Sequence, residues 1–357
     1  MSRLFEPLTL RDVTFANRAW VAPMCQYSAV DGQPQDWHLV HLGALAAGGA
    51  GLVMTEATSV TPQGRISPAD TGIWTDEQIP AWRRITDFIR SQQTVPGIQL
   101  AHAGRKASTA PPWDGGRYVA EAEGGWGDTA GPSPLAFAEL PAPTALSRED
   151  IAATVAAFAQ AAVRGIDAGF EVVELHAAHG YLLHSFLSPL SNQRTDEYGG
   201  DFDNRVRMLI ETTEAVRQVW PERQPLFVRV SATDWAECGW DGDSTVELAR
   251  RLRALGVDLL DCSTGGAIPG VRIPTGPSYQ VPFAARVRRE AGLPTAAVGL
   301  ITEPEQAEGI IASGEADAVM MARALLRDPH WPQRAAHELR AKVRWPNQYQ
   351  RASWSSA

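Results

Sequence analysis

Cysteine is scarce and scattered: Cys25, Cys238 and Cys262 are the only three in 357 residues, and no two stand in a Cys-x-x-Cys spacing. An odd number so far apart gives neither a disulfide framework nor the ligand set of a zinc or iron–sulfur centre. Long apolar runs are missing too. The longest, Leu42 to Met54, is short and glycine-rich, so no membrane span is expected. At the amino end, Met1-Ser-Arg-Leu-Phe-Glu-Pro7 puts an acid and a proline where a secretory signal needs an unbroken apolar core, and a cytoplasmic protein is expected. There is no run of lysine and arginine, and the formal charge is −9. A nucleic-acid partner, which needs a positive footprint, is therefore not expected. No Gly-x-Gly-x-x-Gly turn follows the first apolar run, which argues against a Rossmann fold.

What the chain does contain is an alternation of two segment types. With 44% hydrophobic and 20% charged residues it can bury one large core, and residues 1–357 are expected to form a single domain. Short, β-branched apolar runs recur at Ala19 to Met24, Gly51 to Ala57, Pro96 to Ala101, Glu171 to His176, Leu226 to Ser231, Asp258 to Ser263, Thr295 to Leu300 and Ala316 to Met321. Between and after them lie segments of helical spacing: Trp37 to Ala47, Ile79 to Ser91, Glu149 to Ala168, Asn204 to Trp220, Ser244 to Leu255, Val281 to Ala291, Glu303 to Ser313 and Pro329 to Ala341. Ser147-Arg-Glu-Asp150 and Thr302-Glu-Pro-Glu305 read as hydroxyl caps followed by acids. Gly165, Gly169, Gly256, Gly292 and Gly314 fall where helices should end. The repeat predicts an α/β chain closed as a (β/α)8 TIM barrel. Residues 103–146, rich in Gly, Pro and Trp, are too long for an ordinary connection and predict a capping excursion after strand three; 342–357 form a tail.

Barrel enzymes carry their chemistry at the carboxyl ends of the strands. Strand one ends in Pro23-Met24-Cys25-Gln26-Tyr27, strand three leads to His102, Arg105 and Lys106, and strand five holds Arg229. Strand six ends in Ser263-Thr-Gly-Gly266, strand seven in Val298-Gly299-Leu300 and strand eight in Ala322-Arg323. Strand four runs into His176-Ala-Ala-His-Gly-Tyr-Leu-Leu-His184, so two imidazoles and a phenol emerge together where a buried strand ends. A His-x-x-His pair can bind metal, but no suitable third ligand is near in sequence and no metal is expected. His184 and Ser188-Pro189 read as scaffold.

These residues carry a resemblance. Ala22-Pro-Met-Cys-Gln-Tyr27, Gln99-Leu-Ala-His-Ala-Gly-Arg-Lys106, the stretch from Glu174 to Asn192, Arg194-Thr-Asp-Glu-Tyr-Gly-Gly200 and Arg229-Val-Ser-Ala-Thr-Asp234 resemble the old yellow enzyme family of flavin-dependent ene-reductases. Cys25, the paired histidines and Gln348-Tyr-Gln-Arg351 are similar to its bacterial, thermophilic-like branch with the xenobiotic reductases.

The resemblance implies a barrel holding FMN non-covalently, NADPH as reductant with NADH as an alternative, and an activated alkene as substrate. It assigns Pro23, Met24, Cys25, Ala57, Gln99 and Arg229 to the flavin ring, with Lys106 assisting and Gly265 in the cofactor set. Gly299, Leu300, Ala322 and Arg323 would hold the phosphate, although alanine at 322 replaces a common family glycine. His176 and His179 would clamp a carbonyl oxygen, Tyr181 would donate a proton, Cys25 would adjust the flavin, and Tyr27 would touch substrate. Arg351 with Trp354 would reach a neighbouring subunit's site in a homodimer or homotetramer. The rival readings are a non-catalytic flavin or small-ligand barrel and a flavin barrel reductase with another electron acceptor.

Overall fold

The computed structural model describes residues 2–354; Met1 and residues 355–357, the end of the expected tail, lie outside the described residues. Eight parallel strands close into a barrel. They are β1 Ala19–Val21, β2 Leu52–Ser59, β3 Val95–Ala101, β4 Val172–Ala177, β5 Leu226–Ser231, β6 Leu259–Ser263, β7 Thr295–Ala297 and β8 Ala318–Met321. The helices around them are α1 Asp36–Ala47, α2 Ile79–Ser91, α3 Arg148–Asp167, α4 Phe202–Val219, α5 Gly242–Ala254, α6 Val281–Ala291, α7 Pro304–Ala312 and α8 Trp331–Glu338. No helix among the described residues is long and apolar enough to cross a membrane.

Regular pairing in β1 stops at Val21, just before Pro23, which has no amide hydrogen to offer a neighbour. Strand β7 stops at Ala297, ahead of Gly299 at φ +123. Strand β2 instead runs on to Ser59 past an irregularity between Met54 and Ala57. The Ser147 cap forms as expected, its Oγ accepting from the Asp150 amide at 3.1 Å. Thr302 is not a cap. Glu303 holds that position, and Gln306 Oε1 accepts from the Thr302 amide at 3.0 Å. Gly165 lies inside α3, and Gly169 at φ +86 follows its end. Two short helices were not anticipated, Leu182–Leu187 within the histidine stretch and Arg323–Arg327 after β8.

Side chains along the strands alternate between the helices and the barrel interior, which is filled in layers. At the amino end Trp20, Leu52, Val95, Val172, Phe227, Leu259 and Ala318 form an apolar plug. An antiparallel hairpin, Leu8–Leu10 with Val13–Phe15, adds to it. The Phe15 ring centroid lies 4.6 Å from that of Trp20, which stacks on Phe227 at 5.9 Å. Each such buried side chain contributes about 1.5–3 kcal/mol. Two residues further along β4, β5 and β6 the interior turns ionic at Glu174, Arg229 and Asp261. Two more give His176, Ser231 and Ser263.

Residues 103–146 contain short turns at Gly104–Lys106, Pro112–Asp114 and Glu121–Glu123 and a two-residue pairing of Ala130–Gly131 with Thr144–Ala145. Three arginines fasten them. Arg105 donates to Leu135 O and Ala267 O, and Arg194 donates to Pro132 O and Leu146 O. The Arg65 guanidinium lies 5.3 Å from the Trp74 ring and 4.9 Å from that of Trp126.

Candidate active site

Strand β4 delivers the histidines, and the turn after it sets their spacing. His176 is the last but one paired residue of the strand, opposite Arg229 on β5. His179 adopts φ +60 and Gly180 φ +75. A Cβ on Gly180 would lie 2.2 Å from Gly266 O, so glycine is required for the loops after β4 and β6 to meet backbone to backbone. Ser231 joins them, accepting from the His179 amide at 2.9 Å and donating to Gly265 O at 2.7 Å.

The result is a compact group of rings. His176 and His179 meet edge to face with centroids 5.2 Å apart, and Tyr181 lies 5.0 Å from His176. Burial, then the positive charge of Arg229, holds both imidazoles well below their ordinary value, so both are neutral. His179 Nε2 is 2.7 Å from Ser263 Oγ. When that hydroxyl donates, the ring's proton must sit on Nδ1 and can be offered to a ligand. His176 Nδ1 has no partner among the described residues. Burial pushes the Tyr181 phenol well above its usual range, so it keeps its proton.

Around this group the other expected residues fall in different places. Cys25 packs with Tyr181 against a small apolar cluster that includes Ala57. Burial, then Asp70 and Glu56, pushes its thiol up, and these three residues bring ligand-type atoms within 4.8 Å of one another. Glu56 is engaged by the Gln26 amide at 3.0 Å and by His38 at 2.9 Å. Tyr27, at φ +49, meets the Cys25 thiol and packs edge-on against Trp113 of the excursion at 5.5 Å. Pro23 and Met24 are half-buried beside them. His184 and Ser188 are scaffold: His184 takes the Gly180 amide on Nδ1, and both hold the buried Asp234.

Lys106 departs from its expected place. Its ammonium donates to His179 O at 2.9 Å and Gly266 O at 3.2 Å and faces the rings of Phe137 and Tyr181, rather than assisting Arg229. Burial brings it down to about 8. Gly265 donates its amide to Thr233 O and accepts from Ser231 Oγ, so its backbone is tied into the protein. Arg351 is exposed on the turn Asn347–Ala352, and Trp354 stacks on His337 of α8 at 4.9 Å. No ring contact or hydrogen bond among the described residues joins either to His176 or His179. Ser231, Ser263, Glu174 and Asp261 had no role in the sequence reading; a charge or hydroxyl at an inward position of an apolar strand is the sign that marks them.

Between the ends of β7 and β8 lies a cavity of about 240 Å³ lined by Ser263, Gln280, Gly299, Leu300, Ala322 and Arg323, among others. Deeper in, Gln99 Nε2 donates to Glu174 Oε1 at 2.8 Å, and Arg229 Nε lies 3.0 Å from Asp261 Oδ2. A fixed guanidinium, an anchored amide and an anion-sized cavity beside a strand-end arginine suit a phosphate-bearing ring cofactor. With the neutral imidazole pair and phenol above them, the fold and the site define a cofactor-dependent barrel oxidoreductase.

Residues 3–342 match the NADH:flavin oxidoreductase / NADH oxidase family. The NADPH dehydrogenase of Bacillus velezensis is 47% identical over 353 residues, covering 98% of this chain and 99% of the relative. Morphinone reductase superposes with a TM-score of 0.80 at 27% identity, over 97% of this chain and 92% of that one. The structure of 2-naphthoyl-CoA reductase gives 0.85 at 24% identity, a likeness of fold, and this chain spans 52% of its length. The chain belongs to the NADH:flavin oxidoreductase family, that of the old yellow enzymes. It is an oxidoreductase with FMN as its cofactor, and the Arg229 guanidinium fixed by Asp261, the anchored Gln99 and the Gly299 cavity fit that group.

Proposed function

We propose that this enzyme reduces the carbon–carbon double bond of α,β-unsaturated carbonyl compounds and related activated alkenes. NADPH is the reductant, NADH an alternative, and the oxidised nicotinamide leaves before the alkene enters. The pair of neutral imidazoles 5.2 Å apart, with a protonated phenol beside them, carries this reading. A binding barrel without catalysis has no use for all three.

Bound FMN supplies hydride transfer. The protein does the rest with fixed groups. His176 and His179 direct N–H donors at one carbonyl oxygen, drawing electron density from the conjugated double bond so that its β carbon accepts hydride. Ser263 holds the His179 ring, and when its hydroxyl donates to Nε2 the ring's proton sits on Nδ1 and is free for the carbonyl. Tyr181 delivers its phenolic proton to the α carbon and regains one from solvent, so one NADPH and one proton are consumed per double bond. Gln99 and Arg229 hold the ring cofactor's polar edge. Gly299, Leu300 and Ala322 with the Arg323 guanidinium hold its phosphate, while Pro23, Met24, Cys25 and Ala57 line one side. Tyr27 meets the substrate, and residues 103–146 cover the mouth of the single barrel domain. Lys106 keeps the His179 loop in place. Arg351 and Trp354, which make no contact with His176 or His179 of their own barrel, complete a neighbouring subunit's site in a homodimer or homotetramer. Three free cysteines accord with a cytoplasmic setting.

The purified protein should show a visible flavin band that NADPH bleaches and cyclohexenone restores when oxygen is excluded. A band that NADPH bleaches but the enone leaves bleached transfers the assignment to a reductase with another acceptor.

A further inference from the structure

Halfway down the barrel lies a cluster that the alkene chemistry leaves unused. Glu174 on β4 and Asp261 on β6 are fully buried, and Arg229 on β5 stands between their strands. Arg229 Nε approaches Asp261 Oδ2 at 3.0 Å, whereas Glu174 Oε1 accepts only from Gln99 on β3. Glu174 Oε2 and Asp261 Oδ1 have no hydrogen-bond partner among the described residues. Below, Val172, Phe227 and Leu259 close the interior, and β7 and β8 contribute Ala296 and Met320, so these elements bring no second cation. Above stand the neutral His176 and His179, and Lys106, whose ammonium is turned to two backbone carbonyls. Glu56 belongs to a separate group with His38. Two carboxylates sharing one guanidinium leave a negative charge uncompensated, and a buried carboxyl in that position takes up a proton instead.

We propose that Glu174 is the proton-binding site of this cluster, neutral at neutral pH, through which the protein adjusts the reduction of its flavin. With Glu174 neutral, Asp261 alone balances Arg229 and the layer carries no net charge. When Glu174 ionises, the layer turns negative near where reduction adds another negative charge, and reduction is disfavoured unless a proton returns. Burial, then the charge of Asp261, moves the carboxyl up to about 8, which puts the change on the alkaline side of neutrality. Glu174 touches Gln99 and shares charge with Arg229, so it is a positioning residue that acts through both. The inference needs the flavin but no alkene, so it fails or holds separately from the proposed substrate.

Redox titration of the holoenzyme at a series of pH values, reading flavin absorbance against potential, tests it. In the wild type the protons taken up per two electrons should rise by up to one above about pH 8. The reduced flavin's ring proton lowers that number where it ionises, whereas the oxidised ring's imide proton raises it at more alkaline pH, so the rise is assigned to Glu174 by its loss in Glu174→Gln. Glu174→Gln keeps an acceptor for Gln99, and should abolish the rise while leaving the potential at neutral pH unchanged. Asp261→Asn removes the competing carboxylate, so the rise should move to lower pH as Glu174 becomes the partner of Arg229. Lys106 titrates in the same range, and a rise that survives Glu174→Gln assigns the proton to Lys106 and overturns the proposal. So does a wild-type proton count that is flat across that range, a measurement that depends on no variant folding.

Discussion

Replacing Tyr181 by Phe removes one oxygen and leaves the rest of the site standing. The ring keeps its edge contact with His176 at 5.0 Å and its place 5.2 Å from the Lys106 ammonium. No protein group among the described residues is hydrogen-bonded to the hydroxyl, so its loss should change stability by less than about 1 kcal/mol. General-acid catalysis contributes roughly 10²–10⁴ in rate, about 3–5 kcal/mol of barrier. If water substitutes for the phenol, the loss shrinks to roughly tenfold. Because burial holds the phenol well above its usual range, the wild-type reoxidation step should show no ionisation from Tyr181 at working pH. Stopped-flow absorbance separates the two halves of the cycle. Reoxidation by cyclohexenone should slow by the amounts above, with reduction by NADPH within about twofold of wild type. Equal slowing of both halves would refute the assignment of the phenol as a dedicated proton donor.

Four further outcomes follow from the same geometry. His176→Ala combined with His179→Ala should keep FMN bound but slow enone turnover by roughly 10²–10³, and flavin lost in gel filtration would contradict the clamp. Gly299→Ala forces a side chain into φ +123 with its Cβ 2.9 Å from Gln280 Nε2, so FMN affinity should fall about tenfold by fluorescence titration. Asp234 is pushed up by burial but held lower overall by His184, Ser188 and the Trp240 amide. Its depressed value means that its stabilisation is present above the unfolded carboxyl value of about 4 and is lost as pH falls through the folded one. Asp234→Asn should therefore cost about 3 kcal/mol in urea unfolding at pH 7, with the gap to wild type closing in acid; a gap independent of pH would show that the charge is not involved. Truncation after Asn347 should weaken substrate or NADPH binding, whereas unchanged kinetics and elution volume would leave Arg351 and Trp354 without a role.

The barrel was legible because its signals are long and repeated. All eight strands and eight outer helices follow the apolar periods, and boundaries differ mainly where a single residue interrupts pairing, as Pro23 does after β1. The plugging hairpin was not legible. Its strands, Leu8–Leu10 and Val13–Phe15, are three residues each and form only because Trp20 and Phe227 give Phe15 a surface to cover. Leu182–Leu187 is six residues long, too short to show a helical period of its own. Among site residues, His176, His179 and Tyr181 stood out as polar groups ending an apolar strand. Glu174 and Asp261 did not, because one acid within a β-branched run reads as an outward-facing position until the pairing shows which way it points. The sequence put Lys106 at a strand end, but its target, two carbonyls on different loops, depends on tertiary contacts that no local pattern records.

The layered interior explains why one barrel can hold a charged cluster and a neutral imidazole pair so close together. Strand side chains alternate with period two, so Val172, Glu174 and His176 rise along one line of β4, as do Phe227, Arg229 and Ser231 on β5. A slip of one residue in either strand would turn all three outward, and the plug of Trp20, Phe227 and Leu259 opposes that slip with the full cost of exposing it. The register is thus fixed by residues with no chemical role. The ionic layer above the plug then acts upward: the Arg229 charge helps to keep His176 and His179 unprotonated, so each retains a defined tautomer instead of a diffuse positive charge. In the proposed reaction neutral donors bind a carbonyl oxygen and release the product afterwards, while Arg229, one layer below, would face the cofactor. Exchanging Arg229 for a neutral residue should therefore disturb two sites at once, the proposed flavin edge and the protonation of the histidines above it.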